Sequence, residues 1–378
     1  MKHAAPQSAL DRCCTAAARR EPTARRVRAV RHAAALRRIV TATALASLVA
    51  AASVARAQSG SPFDGTSPTR ASYSASDKDA RSGMDRAERT IDGIETYHVQ
   101  GNVYLLVGAG ANVAVQTGAD GVLVVDTGNA AKRAAVLAAI RRLSSGPIRW
   151  IVNTSADVDH TGGNETISQA GQTVNGNPAA IIAHENVLAR MTEANRPITE
   201  LPLNTFFEPA RDFYFNGEAV FLYHPANAHT DGDVFVYFRG SDVLVSGDLF
   251  TTTQYPVIRA DQGGGVDGLV AGLNQMLDIA VPKYLQEGGT YVIPGHGRVC
   301  DEAELIDYRD MVVIVRDRIR SLAAQGMTLQ QVLATKPALD YDGRYDNPRG
   351  PWTSAMLVEA IYRDAGKTTS GKQRAAAK

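Results

Sequence analysis

Three histidines of this chain share a setting that suits chemistry. His160 closes Ile151-Val152-Asn153-Thr154-Ser155-Ala156-Asp157-Val158-Asp159-His160 and is followed by Thr161-Gly162-Gly163. His229 stands in Ala228-His229-Thr230-Asp231-Gly232-Asp233, and His296 in Val292-Ile293-Pro294-Gly295-His296-Gly297. An aspartate has the same surroundings in Val245-Ser246-Gly247-Asp248. Each segment reads as an apolar strand, then a turn bearing glycine, with a metal-type ligand at the strand's end. Strand ends on one rim of a layered fold converge, and glycine lets the backbone approach a site closely. Imidazole and carboxylate are ligands for zinc, iron and manganese. One such residue alone would read as a polar strand cap; four together read as a metal site.

The elements that must position them follow from hydrophobic patterning. Val103–Val107, Val113–Gln116, Gly121–Asp126, Ile148–Val152, Ala219–Tyr223, Val234–Phe238, Val243–Val245 and Tyr291–Ile293 read as strands. Ala130–Leu143, His184–Ala194 and Val266–Ile279 carry helical spacing, as do Glu302–Ala324, a piece near Leu329–Leu333, and Trp352–Arg363. The alternation predicts an α/β layered domain over residues 90–300, with C-terminal helices over 301–365 packing on it and a frayed tail over 366–378.

With these motifs in order, the chain resembles the metallo-β-lactamase superfamily over roughly residues 95–300. The resemblance rests on the strand-end loop ending in Asp159-His160-Thr161-Gly162-Gly163, the later His229 motif, Gly247-Asp248, and Gly295-His296. An upstream Val124-Val125-Asp126-Thr127-Gly128 matches the family's strand-end aspartate, which steadies the metal loop. The resemblance implies a four-layer αββα sandwich with one or two metal ions at the sheet rim. It also implies that Asp159, His160, Asp248 and His296 form one metal position, while His229 and shared Asp248 belong to the other.

The chain departs from the family where the family has H-x-H-x-D-H. Here the loop reads Ser155-Ala156-Asp157-Val158-Asp159-His160, so both histidines that build the first position are absent. A serine hydroxyl stays protonated at neutral pH and ligates poorly. Asp157 is shorter than the histidine it replaces, so direct ligation requires a shifted loop or a bridging water. Asp157, Asp159 and Asp248 place three carboxylates in one pocket, which repel one another unless a cation is present. One divalent ion leaves −1 and two leave +1. The expectation is one zinc ion, with two ions or iron or manganese as alternatives. Asp157 is expected to act as a base toward water, with Asp126, Ser155 and Asp233 (the last beside Thr230) supporting the ligands.

The remaining histidines are weaker candidates. His184 reads as a packing or supporting residue at a helix start, His224 as a solvated strand end, and His98 as strand surface. Cys300 reads as a small buried residue. Cys13 and Cys14 fall in an N-terminal head, where Ile39–Val54 is uncharged and ends in Ala55-Arg56-Ala57, a signal-peptidase pattern. Residues 1–57 are therefore expected to be a signal peptide with an over-long basic start, cleaved near Ala57-Gln58. Residues 58–89 read as a flexible leader. The mature protein is expected to be periplasmic or secreted, without a membrane anchor.

The head holds eleven Lys and Arg against Asp11 and Glu21, a net of +9, which leaves −8 on the rest of a chain whose total is +1. An acidic body argues against nucleic acid and anionic membrane surfaces as partners, and the expected partner is a small-molecule substrate. The leading expectation is a metallohydrolase that directs water at an ester, thioester, lactone or amide. Two readings stand beside it, a non-hydrolytic iron or manganese centre and a catalytically silent metal-binding protein.

Overall fold

A computed structural model describes residues 89–285 and 288–376. The expected signal peptide, and the leader up to residue 88, lie outside the described residues. The elements run β1 (Arg89–Ile91), β2 (Ile94–Gln100), β3 (Val103–Val107), β4 (Val113–Gly118), β5 (Gly121–Val125), α1 (Arg133–Leu143), β6 (Ile148–Val152), α2 (Val158–Thr161) and α3 (Asn164–Ala170). Next come β7 (Ala180–His184), α4 (Glu185–Glu193), β8 (Asn204–Phe206), β9 (Ala210–Phe215), β10 (Glu218–Tyr223), β11 (Phe235–Phe238), β12 (Val243–Val245), α5 (Val266–Ile279) and β13 (Tyr291–Ile293). The chain closes with α6 (Glu302–Ala324), α7 (Leu329–Ala334), α8 (Leu339–Tyr345) and α9 (Ser354–Ala376).

Strands β1 to β8 form one sheet in sequence order, and β13-β12-β11-β10-β9 form a second. The two-residue period of the strands divides their side chains between two cores. Leu105, Leu123 and Val125 of the first sheet meet Val236, Phe238, Val245 and Ile293 of the second. The alternate residues Leu106, Val122 and Val124 face outward and pack with Val136 and Ile140 of α1 and Ile167 of α3. On the far side, Phe235, Leu244 and Val292 meet Leu269, Leu273 and Met276 of α5 and Leu305, Tyr308 and Val312 of α6. Helix, sheet, sheet and helix thus stack in four layers. The C-terminal helices belong to the fourth layer, since Val332, Leu357 and Ile361 join that same core.

Strands β5, β6 and β7 run parallel, and so do β12 and β13. Parallel strands buried on both faces read as continuous apolar runs, and β5 is buried at every position. Their carboxyl ends open on one rim, the customary place for a ligand in an open α/β sheet.

The structure adds β1, β2, β7, β8 and β9 and the helices α2, α3 and α8 to the elements expected from sequence. Strand β9 is an edge strand reading ARDFYF, in which Arg211 on the inner face and Ala210 and Tyr214 on the outer one obscure its alternation. Strand β1 begins at Arg89, one residue inside the expected leader. Helix α9 continues to Ala376, across the stretch from Gly366 expected to fray. Alanine, lysine, glutamine and arginine in that stretch favour helix.

Candidate metal centre

The site is built from the loops after β5, β6, β12 and β13 and from the β10–β11 connection. At the end of β5, Asp126 adopts a left-handed backbone with φ 61 and is buried. Its Oδ1 accepts the Thr154 amide at 2.8 Å, and its Oδ2 accepts the Thr154 hydroxyl at 2.6 Å. Oδ2 also lies 2.7 Å from His160 Nδ1. A carboxylate at that distance takes the Nδ1 proton and turns Nε2 inward.

Three further contacts hold the loop after β6. Thr127 donates through its amide to the His160 carbonyl at 2.7 Å and through Oγ1 at 3.0 Å. The side chains of Asn153 and Asn164 pair reciprocally, at 2.8 and 3.0 Å. The Ser155 hydroxyl accepts the Asp157 amide at 3.2 Å, and the Asp157 carbonyl then accepts the amides of His160 and Thr161, starting α2.

Asp157 stands at the N-cap of that short helix, and its Oδ2 lies 3.0 Å from His229 Nε2. His229 is oriented from behind by the Val257 carbonyl, 2.8 Å from Nδ1. The structure thus gathers two groups: Asp159, His160 and His296, and Asp157, His229 and Asp248, each with ligand atoms within 4.8 Å of one another. Asp248 joins the groups. Its Oδ2 lies 3.3 Å from His160 Nε2 and 3.7 Å from His229 Nε2, and its Oδ1 lies 3.4 Å from His296 Nε2. Gly295 makes this packing feasible, because a Cβ there would sit 2.3 Å from Asp248 Oδ1.

The electrostatics of the pocket are those of a cation site. Burial alone would neutralise Asp248, yet the surrounding His160, His229 and His296 hold its carboxyl well below the usual range. Burial opposes charge on His160 as well, but Asp248 and Asp126 raise its pKa far above the ordinary value. His229 is pushed up to about 9 against its burial, chiefly by the hydrogen bond with Asp157. Asp157 is lowered overall, because that bond and the charge of His229 outweigh its burial. Protons on the imidazoles do here what a metal ion does, and ion binding displaces them. The fit to a metal shows most plainly at His160 Nε2, which is fully buried, near a carboxylate, and hydrogen-bonded to nothing. A buried polar atom without a partner is costly unless it serves another ligand.

Every ligand candidate read from the sequence lies at this rim, with Asp126 bonded to His160 behind it. Asp233 sits one layer back. Its carboxylate accepts the Thr230 amide at 2.7 Å and the Thr230 hydroxyl at 2.9 Å, and burial raises its pKa to about 6. The residues outside the ligand set take structural places. His184 ends β7, caps α4 through Nδ1, and stacks on His224 at 3.6 Å between ring centroids. His98 bonds the Gly101 carbonyl on the strand surface, and Cys300 is buried. Sequence reasoning missed Arg259, whose guanidinium lies 3.6 Å from Asp157 Oδ1. It also missed the Val257 carbonyl; neither residue sits in a motif.

Residues 97–296 match the family model described as the metallo-β-lactamase superfamily. The chain belongs to that superfamily. Among solved structures, the stereoselective inverting sec-alkylsulfatase Pisa1 from Pseudomonas sp. is similar at a TM-score of 0.53 and 16% identity. The match covers 71% of this chain and 49% of the alkylsulfatase, so the chain spans about half of that relative's length. A metallo-β-lactamase from Pontibacter korlensis gives a TM-score of 0.48 at 17% identity, covering 58% of this chain and 99% of that one. The DIM-1 metallo-β-lactamase gives 0.48 at 17%, covering 59% and 99%. No curated protein matches the chain. At such identities the neighbours share the metallo-β-lactamase fold, and substrate preference belongs to the loops of each protein.

Proposed function

We propose that this member of the superfamily is an exported metal-dependent hydrolase of small molecules carrying an ester, thioester, lactone or amide. The carrying observation is the convergence of both acid–histidine groups on Asp248, with His160 Nε2 fully buried and facing Asp248 Oδ2 at 3.3 Å without a hydrogen bond. Asp159, His160, Asp248 and His296 would hold the ion. A divalent ion so held supplies Lewis acidity, which lowers the pKa of a water and polarises a carbonyl oxygen. Asp126 keeps His160 in the ligating tautomer, and the Val257 carbonyl keeps the His229 ring facing Asp157. Asp157 is held as a carboxylate, with Oδ2 on His229 and Oδ1 facing Arg259, and would serve as the base toward the attacking water.

Zinc is the ion proposed. The three carboxylates give the pocket more oxygen than an all-histidine position has, and that observation supports iron or manganese as the second reading. The test is turnover of an ester, thioester, lactone and amide panel by stripped protein reloaded with zinc, iron or manganese. Hydrolysis restored by one ion supports the reading, and silence with every ion sinks it.

Export rests on residues 1–57 alone. Among the described residues, no helix is long and apolar enough to cross a membrane. N-terminal sequencing of exported protein should read from Gln58, and a retained head would contradict export by cleavage.

A further inference from the structure

We infer that Arg259 is a built-in cation for the Asp157 side of the pocket, so that the site takes one divalent ion where the fold has room for two groups of ligands. The inference rests on the metal reading above and adds how the lost histidines are compensated.

The geometry fixes Arg259 to the rim from two directions. Its amide donates to the His229 carbonyl at 2.8 Å, two residues after the Val257 carbonyl that orients the His229 ring. The loop then turns back tightly, with the amides of Gln262 and Gly264 both donating to the Arg259 carbonyl. Gly264 allows this approach, since a Cβ there would stand 2.1 Å from the His229 carbonyl oxygen. One end of the guanidinium faces Asp157 Oδ1 at 3.6 Å, and Nε faces Asp261 Oδ1 at 3.7 Å. Asp261 is 74% exposed and therefore well screened, whereas Asp157 is 18% exposed and lies inside the pocket.

The place of the guanidinium beside Asp157 decides what the arrangement favours. Asp157, Asp159 and Asp248 together carry −3, and the Arg259 guanidinium carries +1. With Arg259, one divalent ion brings the four side chains to zero. Two ions bring them to +2, and a hydroxide would still leave +1. With Asp126, which bonds His160 from behind, counted in, one ion leaves −1 and two leave +1, so net charge does not separate the two cases and the guanidinium's place on Asp157 does. The Asp157, His229 and Asp248 group offers an ion three ligands, one of them shared with the other group and another paired with a fixed cation. A second ion there must compete with the guanidinium for the same carboxylate.

The test compares the full chain with Arg259→Met and Arg259→Lys. Each is stripped by chelator, titrated with zinc against a chromophoric competitor, and checked for folding by circular dichroism. The parent should bind one equivalent tightly. Arg259→Met should take a second equivalent at least tenfold more tightly than the parent does, and Arg259→Lys should return to one. Equal second-ion affinity in the parent and Arg259→Met overturns the inference while leaving a one-ion hydrolase intact. A parent that binds two equivalents tightly also overturns it. A parent that binds no divalent ion refutes the metal reading itself.

Discussion

Replacing Asp126 by asparagine tests the support of His160 without disturbing its backbone. Asparagine tolerates the left-handed conformation, φ 61, that Asp126 adopts, so no strain confuses the result. The wild-type carboxylate satisfies the Thr154 amide, the Thr154 hydroxyl and His160 Nδ1. An amide has one accepting oxygen, and its NH2 must face a donor whichever way it turns. One buried charge-assisted bond is lost, worth about 1.5–3 kcal/mol, and a donor is left unmet. Partial relaxation of the loop brings the expected cost to about 2–4 kcal/mol of folding stability. Ion affinity should fall as well, by roughly 10–100-fold, because His160 loses the partner that fixes its tautomer. Urea denaturation of stripped protein reads the first quantity, and chelator competition reads the second. A stability loss with ion affinity unchanged within about twofold would refute the claim that His160 ligates through Nε2.

Asp157→Asn should lower kcat by roughly 100-fold or more on any substrate the parent hydrolyses, with the tightly bound ion retained in elemental analysis. Ser155→Ala should cost about 0.5–1 kcal/mol in chemical denaturation, through the lost bond to the Asp157 amide, and leave metal content unchanged. Stability should also depend on acid through the stacked pair His184 and His224. Burial and the neighbouring His224 lower His184 to about 4 from an ordinary 6.5, so the unfolded chain binds the proton first. That contribution, about 1–2 kcal/mol after solvent screening, is complete above pH 6.5 and drains as pH falls toward 4. Denaturation midpoints of parent and His184→Phe, compared across that window, should converge as the pH falls.

Much of the site was legible because its ligands follow strands that are themselves plain in sequence. His160, Asp248 and His296 each come just after an apolar run that the fold realises as β6, β12 or β13, and glycine marks the approach. The fold was legible for the same reason, since β5 is buried on both faces and leaves a continuous apolar stretch, which β6 keeps except at Arg149. Elements whose stability comes from their neighbours were not legible. Strand β8 has three residues, and α8 carries Asp340, Asp342 and Gly343 on a single short turn pair, so neither has a period to read. Arg259 escaped because its place depends on backbone bonds to His229, thirty positions earlier, which no local pattern encodes. The pairing of Asp157 with His229 escaped for the same reason, since the two lie 72 positions apart.

The central claim is that Asp159, His160, Asp248 and His296 hold a catalytic divalent ion. Crystals of the protein soaked with zinc, with data collected on both sides of the zinc absorption edge, test it most directly. The account predicts one strong anomalous peak within bonding distance of His160 Nε2, His296 Nε2, Asp159 and Asp248. Anomalous density absent from that position, or a peak held by other side chains with His160 Nε2 uncoordinated, would contradict it.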